Sequence, residues 1–153
     1  GRMNVISFYR LSRRFYDKGF FRTSKFITRV GFLIFNSHIP GSAKIGKYSR
    51  AAYGGSGVIV HKDAIVGERV IFGQGTTIGR QLDPVGVPSV GNDVYISTGA
   101  KILGDIRVGN NVIIGANAVV IRDVPDNSVV AGVPAKLIKT LDQPIYDLLK
   151  GLY

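Results

Sequence analysis

From Val60 to Val120 apolar residues return every sixth position, a period that neither an α-helix at 3.6 nor a simple strand at 2 produces. Ten anchors share one register: Val60, Val66, Phe72, Ile78, Val90, Ile96, Ile102, Val108, Ile114 and Val120. Four residues past each stands a second apolar or small residue: Ala64, Val70, Thr76, Leu82, Val94, Ala100, Ile106, Val112, Ala118 and Val124. A coil of short strands accounts for both columns. If each hexad forms one flat segment and a corner, its first and fifth residues point inward, and successive turns bury a column of Val and Ile. Glycine follows the anchor at Gly67, Gly73 and Gly79, where a corner needs freedom in φ, but His61 follows Val60.

The register breaks twice. Ile45 precedes Val60 by fifteen residues rather than a multiple of six, so GKYSRAAYGGSGVI holds an irregular turn. RQLDPVGVPS, 80–89, carries two prolines that no interior ladder accepts, and register resumes at Val90, so this segment is expected to leave the coil as a loop. Irregular segments on a rigid scaffold are where sites tend to form.

Ahead of the coil, 6–35 interleaves aromatic and basic residues. Phe8, Leu11 and Phe15, then Phe26, Val30 and Leu33, recur by threes and fours, which predicts two short amphipathic helices divided near Asp17-Lys18-Gly19. Through Asn36 there are eight basic residues and one acid, so a net +7 of the formal +10 lies in the first quarter of the chain. The helices are expected to cover one end of the coil, their arginines forming a solvated face or a surface for anionic lipid. No recognition motif accompanies the charge, so nucleic acid is not an expected partner. Gly1-Arg2, ahead of Met3, reads as an appended dipeptide outside the fold. The chain thus divides into a basic helical segment (1–38), the coil (39–138) and a tail (139–153) in which 145–152 reads as a short amphipathic helix. With 153 residues and no cysteine, the coil has neither a thiol nucleophile nor thiolate metal ligands, and the composition fits a reducing cytoplasm.

The hexads VGERVI and IGANAV, with the ending RDVPDNSVVAGVPAKLIK, resemble the hexapeptide-repeat acyltransferases. That resemblance implies a left-handed parallel β-helix, acetyl-CoA as co-substrate without a metal, and a homotrimer. Within the superfamily, 39–139 is most similar to the serine acetyltransferase group and to its relatives that O-acetylate sugars in bacterial surface polysaccharides. In serine acetyltransferases an Asp-His pair precedes a Gly-Thr-Gly-Val-Val run, whereas the matching stretch here, Tyr53-Gly54-Gly55-Ser56-Gly57-Val58-Ile59, has no histidine, and neither does position 74, the glutamine where the resemblance puts a second one. The expected activity is therefore acetyl transfer from acetyl-CoA to a saccharide hydroxyl (capsule, O-antigen or exopolysaccharide), at the inner face of the membrane. Serine is the alternative acceptor and a non-catalytic coil the second alternative. A zinc-dependent carbonic anhydrase of the same fold needs three histidines; only His38 and His61 exist.

Acetyl transfer to a hydroxyl needs a base for the departing proton and donors for the oxyanion. Imidazole, with an ordinary pKa of about 6.5, suits that role, so His61 is the expected base. Asp63, Glu68 and Asp83 are candidates to orient it, and Tyr53, Gln74 and Asp83 to contact the acceptor. By resemblance, Thr98, Gly99, Ala116, Ile121 and Arg122 line the pantetheine arm, and Lys136 and Lys139 meet the phosphates of CoA. His38 is expected at the surface, as a capping residue.

Overall fold

In the computed structural model, which describes residues 3–151, the six-residue period becomes three flat faces joined by three corners. The first face stacks Lys44–Ile45, Ile65–Val66, Ser89–Val90 and Arg107–Val108 in parallel. Next comes a second face of Arg50–Ala51, Ile71–Phe72, Val94–Ile96, Val112–Ile114 and Ser128–Ala131, to which Lys136–Thr140 adds antiparallel. A third holds Ile59–Val60, Thr77–Gly79, Lys101–Leu103 and Val119–Val120. Each anchor stands directly over another one full turn away: Val60 over Ile78, Ile78 over Ile102, Ile102 over Val120. All ten anchors are at most 3% exposed. Alternation explains this, since successive side chains in a strand point to opposite sides and only one side meets the interior.

The registers locate the interruptions. Ile45 pairs with Val66, three residues beyond an eighteen-residue turn, and the surplus lies in the 3-10 turn Ala52–Gly55 between the second and third faces. Ile78 pairs with Ile102, six residues beyond, and that surplus is the loop 80–88 between the third and first faces. Leu82, which the spacing assigns to the interior, is 87% exposed on that loop. Its hexad never closes, so the inward column skips it.

The three corners are not alike. Between the first and second faces, Gly46, Gly67, Gly91 and Gly109 stack so closely that a Cβ on Gly46 would lie 2.5 Å from the Gly67 carbonyl carbon and one on Gly91 would lie 2.8 Å from the Gly109 oxygen. Between the second and third faces, Gly57, Gly75, Gly99 and Asn117 share φ values of 56 to 70°. His61, Gly79, Leu103 and Ile121 occupy the corner between the third and first faces. There a Cβ on Gly79 would meet nothing nearer than 3.4 Å. Side chains are accommodated at this corner, as Leu103 and Ile121 show, so a histidine fits there in place of glycine.

An open coil leaves unpaired edges at its ends, and terminal segments must cover them. The two helices form where the spacing predicts, as α1 (Val5–Asp17) and α2 (Phe21–Phe35), and α1 does most of the covering. Arg10 donates to the Ile45 and Gly46 carbonyls (both 2.5 Å), Asn4 Nδ2 to the Ala51 carbonyl (2.9 Å), and Tyr9 Oη to Ala43 (2.6 Å) while accepting from the Ile45 amide (3.0 Å). Arg13 reaches the carbonyls of Gly41 and Ser42, each at 3.2 Å. These two arginines belong to the fold, contrary to the expected solvated face. His38 pairs through its backbone with Ile59 and so closes the edge of the third face. α2 packs through Ser24, Thr28 and Gly31, with Ser12 of α1 bonding Ser24 Oγ (2.8 Å) and Thr28 Oγ1 (3.0 Å). The apolar stripe expected to pack is the exposed one, with Phe26 at 65% and Leu33 at 81%. At the other end, the tail docks on the glycine-stacked corner. Ile145 opens the short helix α3 (Ile145–Leu148), is fully buried and donates its amide to Asn111 Oδ1 (2.7 Å), while Tyr146 Oη donates to the Arg69 carbonyl. α3 is shorter than the expected 145–152; Leu152, like Gly1, Arg2 and Tyr153, lies outside the described residues.

Candidate active site

Most of the residues singled out by the sequence fall on two corners, one at either edge of the third face; Glu68, Lys136 and Lys139 do not. On the corner between the second and third faces, Ser56, Gln74, Thr98 and Ala116 stand in one column. Its rungs are backbone bonds of 2.9 Å from Gly75 N to Ser56 O, Gly99 N to Gln74 O and Asn117 N to Thr98 O. Thr98 Oγ1 also donates to the Gln74 carbonyl (3.2 Å). Tyr53 projects from the inserted turn at the foot of this column, at φ 50° and 83% exposed. Gln74, Thr98, Gly99 and Ala116 are thus brought together, with Tyr53 three residues before Ser56 in the chain. Lys136 pairs with Ala131, beside Gly115, at the head of the column, whereas Lys139 pairs with Val129, farther along the second face. Lys101, which the sequence did not single out, donates Nζ to the Gly75 carbonyl (2.5 Å) and places a cation beside the same corner. Its only signal was that a residue next to an inward anchor must face outward.

His61, Asp83, Ile121 and Arg122 occupy the corner between the third and first faces or the loop that leaves it. Within one coil, His61 lies five residues beyond Ser56, about 16 Å along an extended chain. It also lies three coils from Ile121, about 14 Å at the strand spacing. Neither separation is bridged by an imidazole. One subunit therefore holds the expected base and the Thr98–Gly99–Ala116 part of the expected donor groove on opposite edges of a face, with Ile121 and Arg122 on the base's own edge but three coils away.

His61 is partly buried, and its Nδ1 accepts the Asp63 backbone amide (3.1 Å). Among the described residues, Asp63 carries the one carboxylate near the ring, with Oδ2 3.9 Å from Nδ1. Glu68 instead meets Arg69 (3.1 Å), which also holds Asp93 (2.6 Å). Asp93 and then Glu68 push the Arg69 pKa further up, which fixes this guanidinium as a cation at every relevant pH. With Nδ1 accepting an N–H, the neutral ring carries its proton on Nε2. For Nε2 to act as a base the ring proton must sit on Nδ1, from which the Asp63 carboxylate stands 3.9 Å away.

His38 is exposed in a groove of about 340 Å³ that it shares with Pro40, Lys62 and α2 residues Lys25 and Arg29. Among the described residues, no group of three or more His, Asp or Glu side chains is placed to hold a metal ion.

Comparison with known proteins bears on what these corners serve. Residues 88–122 match the family model "Bacterial transferase hexapeptide (six repeats)". Serine acetyltransferase of Staphylococcus aureus (strain Mu50 / ATCC 700699) is 30% identical over 165 aligned positions, which cover 98% of this chain and 77% of that protein. Among solved structures, serine acetyltransferase in complex with coenzyme A from Brucella abortus strain S19 superposes with a TM-score of 0.82 at 32% identity, covering 90% of this chain and 55% of the other. The enzyme from Vibrio cholerae O1 biovar El Tor N16961 gives 0.84 at 28%, covering 90% and 54%. This chain spans about half the length of those solved chains.

These likenesses overturn the expected sugar acceptor and, with it, the assignment to polysaccharide synthesis. The histidines missing from two short stretches are a local departure from those relatives. A six-residue period does not specify the corner and loop side chains, and similarity along nearly the whole chain outweighs a local departure. On that similarity in sequence and fold, the chain belongs to the serine acetyltransferase family of hexapeptide-repeat bacterial transferases.

Proposed function

We propose that this protein is an acetyl-CoA-dependent serine O-acetyltransferase, acting as a homotrimer whose active sites lie between subunits. The observation that carries the reading is the 30% identity to a serine acetyltransferase over 98% of the chain, together with the fold shared with a CoA-bound one. We read the coil as left-handed on the same likeness. The separation of the two corners supports the shared site, since a threefold assembly can set the His61 edge of one copy against the Gln74–Thr98–Ala116 edge of the next.

In this reading the pantetheine arm lies along Thr98, Gly99 and Ala116, where small side chains allow close approach, and Ile121 and Arg122 of the facing edge complete the groove. Lys136 and Lys139 are exposed cations suited to the phosphates. Serine binds near Tyr53 and Gln74 of one copy, with Asp83 of the neighbouring loop meeting its ammonium group. His61 Nε2 takes the hydroxyl proton as the oxygen attacks the thioester carbonyl. The acetyl group leaves sulfur for oxygen, and the imidazolium returns the proton to the departing thiolate. A positioned base contributes about 10²–10⁴ in rate.

The test is serine-dependent release of free thiol from acetyl-CoA. Saturable dependence on serine is expected, with His61→Ala losing about 10²–10⁴ in kcat and little acetyl-CoA affinity. Thiol release that ignores serine, or a variant as fast as wild type, would refute it.

A further inference from the structure

The face that α2 turns away from the molecule has a composition its fold does not use. At 100° per residue, the direction opposite the buried Ser24, Thr28 and Gly31 holds Arg22, Phe26, Arg29 and Leu33 in one stripe. Phe26 is 65% exposed and Leu33 81%, with Phe21 at 53% and Phe32 at 48% on the flank beside Lys25. The helix carries three cations and no acid. The one acid of the neighbouring helix, Asp17, is held by Arg13 at 2.9 Å. Large apolar side chains alternating with arginine on a single helical face is the composition of a helix lying in a membrane interface.

We propose that the outward face of α2 docks this protein on an anionic lipid bilayer, with Phe26 and Leu33 entering the headgroup–acyl boundary and Arg22, Lys25 and Arg29 meeting lipid phosphates. Charge decides the occupant. A second copy laid on this face would bring three cations against three, with no acid between them, while a phosphate surface complements all three. Arg14 on α1 and Lys18 just past its end lie exposed and carry the same sign. Association is peripheral, since among the described residues no helix is long and apolar enough to cross a membrane. The proposal stands apart from the acetyl-transfer reading, because none of these residues belongs to the candidate site.

Sedimentation of the full chain with vesicles tests it, comparing phosphatidylcholine alone with a mixture containing phosphatidylglycerol. Binding is expected only to the anionic vesicles, weakening as salt rises. Arg22→Gln with Arg29→Gln should lower the partition coefficient roughly thirtyfold, and Phe26→Ser with Leu33→Ser should lower it comparably at any salt concentration. All four side chains point away from the core, so circular dichroism of the variants should match wild type. No binding to anionic vesicles at low salt, or equal binding to both vesicle types, overturns the proposal. So does a change in sedimentation mass for the Phe26/Leu33 variant without a change in vesicle binding, which would make the face a contact between copies.

Discussion

Tyr9 shows how one side chain joins the helical cap to the coil. Its hydroxyl donates to Ala43 and accepts from Ile45, satisfying two backbone groups at an edge with no further strand. Tyr9→Phe leaves both without that partner, and a loss of about 1–3 kcal/mol is expected in denaturant unfolding. Burial pushes the Tyr9 pKa above its ordinary 10.0, so the folded state favours the neutral phenol. This contribution is complete below pH 10 and fades as pH rises through the raised folded value. Wild type should therefore lose stability more steeply than Tyr9→Phe above pH 10. His61 teaches a different lesson. The sequence marks it because glycine follows three of the four anchors between Val60 and Ile78, but Gly67, Gly73 and Gly79 stand at three different corners. A period of six treats these corners as equivalent; only the full turn separates them. Gly79, one coil on from His61, is the glycine among the three with ordinary room for a Cβ. The case for His61 as base thus rests on its chemistry and on the nearby Asp63 carboxylate.

Among the elements, the stacked corners set what can be changed. Gly91→Ala would drive a methyl group to 2.8 Å from the Gly109 oxygen, backbone against backbone, whereas Gly79→Ala brings it to 3.4 Å from the end of the Leu103 side chain. Thermal unfolding should separate them: Gly91→Ala is expected to lose more than about 2 kcal/mol, and Gly79→Ala to stay within about 0.5 kcal/mol of wild type. Similar losses in both would mean that the corners are equivalent after all. The inward columns were legible in the sequence because each strand offers one side to the core. Leu82 was misread because proline breaks its hexad while the spacing carries through to Val90. The packing face of α2 was hidden for the opposite reason. Ser24, Thr28 and Gly31 join helix to helix by close approach and hydrogen bonds, so they leave no hydrophobic periodicity, and the residues that do are the exposed ones.

For the molecule as a whole, the solenoid and its caps form a scaffold that separates two sets of side chains. Thr98, Gly99 and Ala116, suited to hold the donor, lie along one corner; the candidate base lies at the next, which it shares with Ile121 and Arg122. Chain order places these groups on named corners, and the sequence shows that much. Which corner meets which in an assembly is fixed by surfaces with no repeat of their own, and the inserted turn and loop, where the proposed serine contacts lie, are where the period is silent. A site shared between copies makes a direct demand. His61→Ala and Ala116→Trp should each slow transfer alone by about a hundredfold or more, the first by removing the base and the second by filling the donor corner. When the two variants are unfolded together and refolded as mixed trimers, some interfaces will unite the intact His61 edge of one copy with the intact Ala116 edge of its neighbour. At equal proportions, serine-dependent thiol release should return to about a quarter of the wild-type rate. Mixed assemblies with no more activity than either variant alone would contradict a site built between subunits.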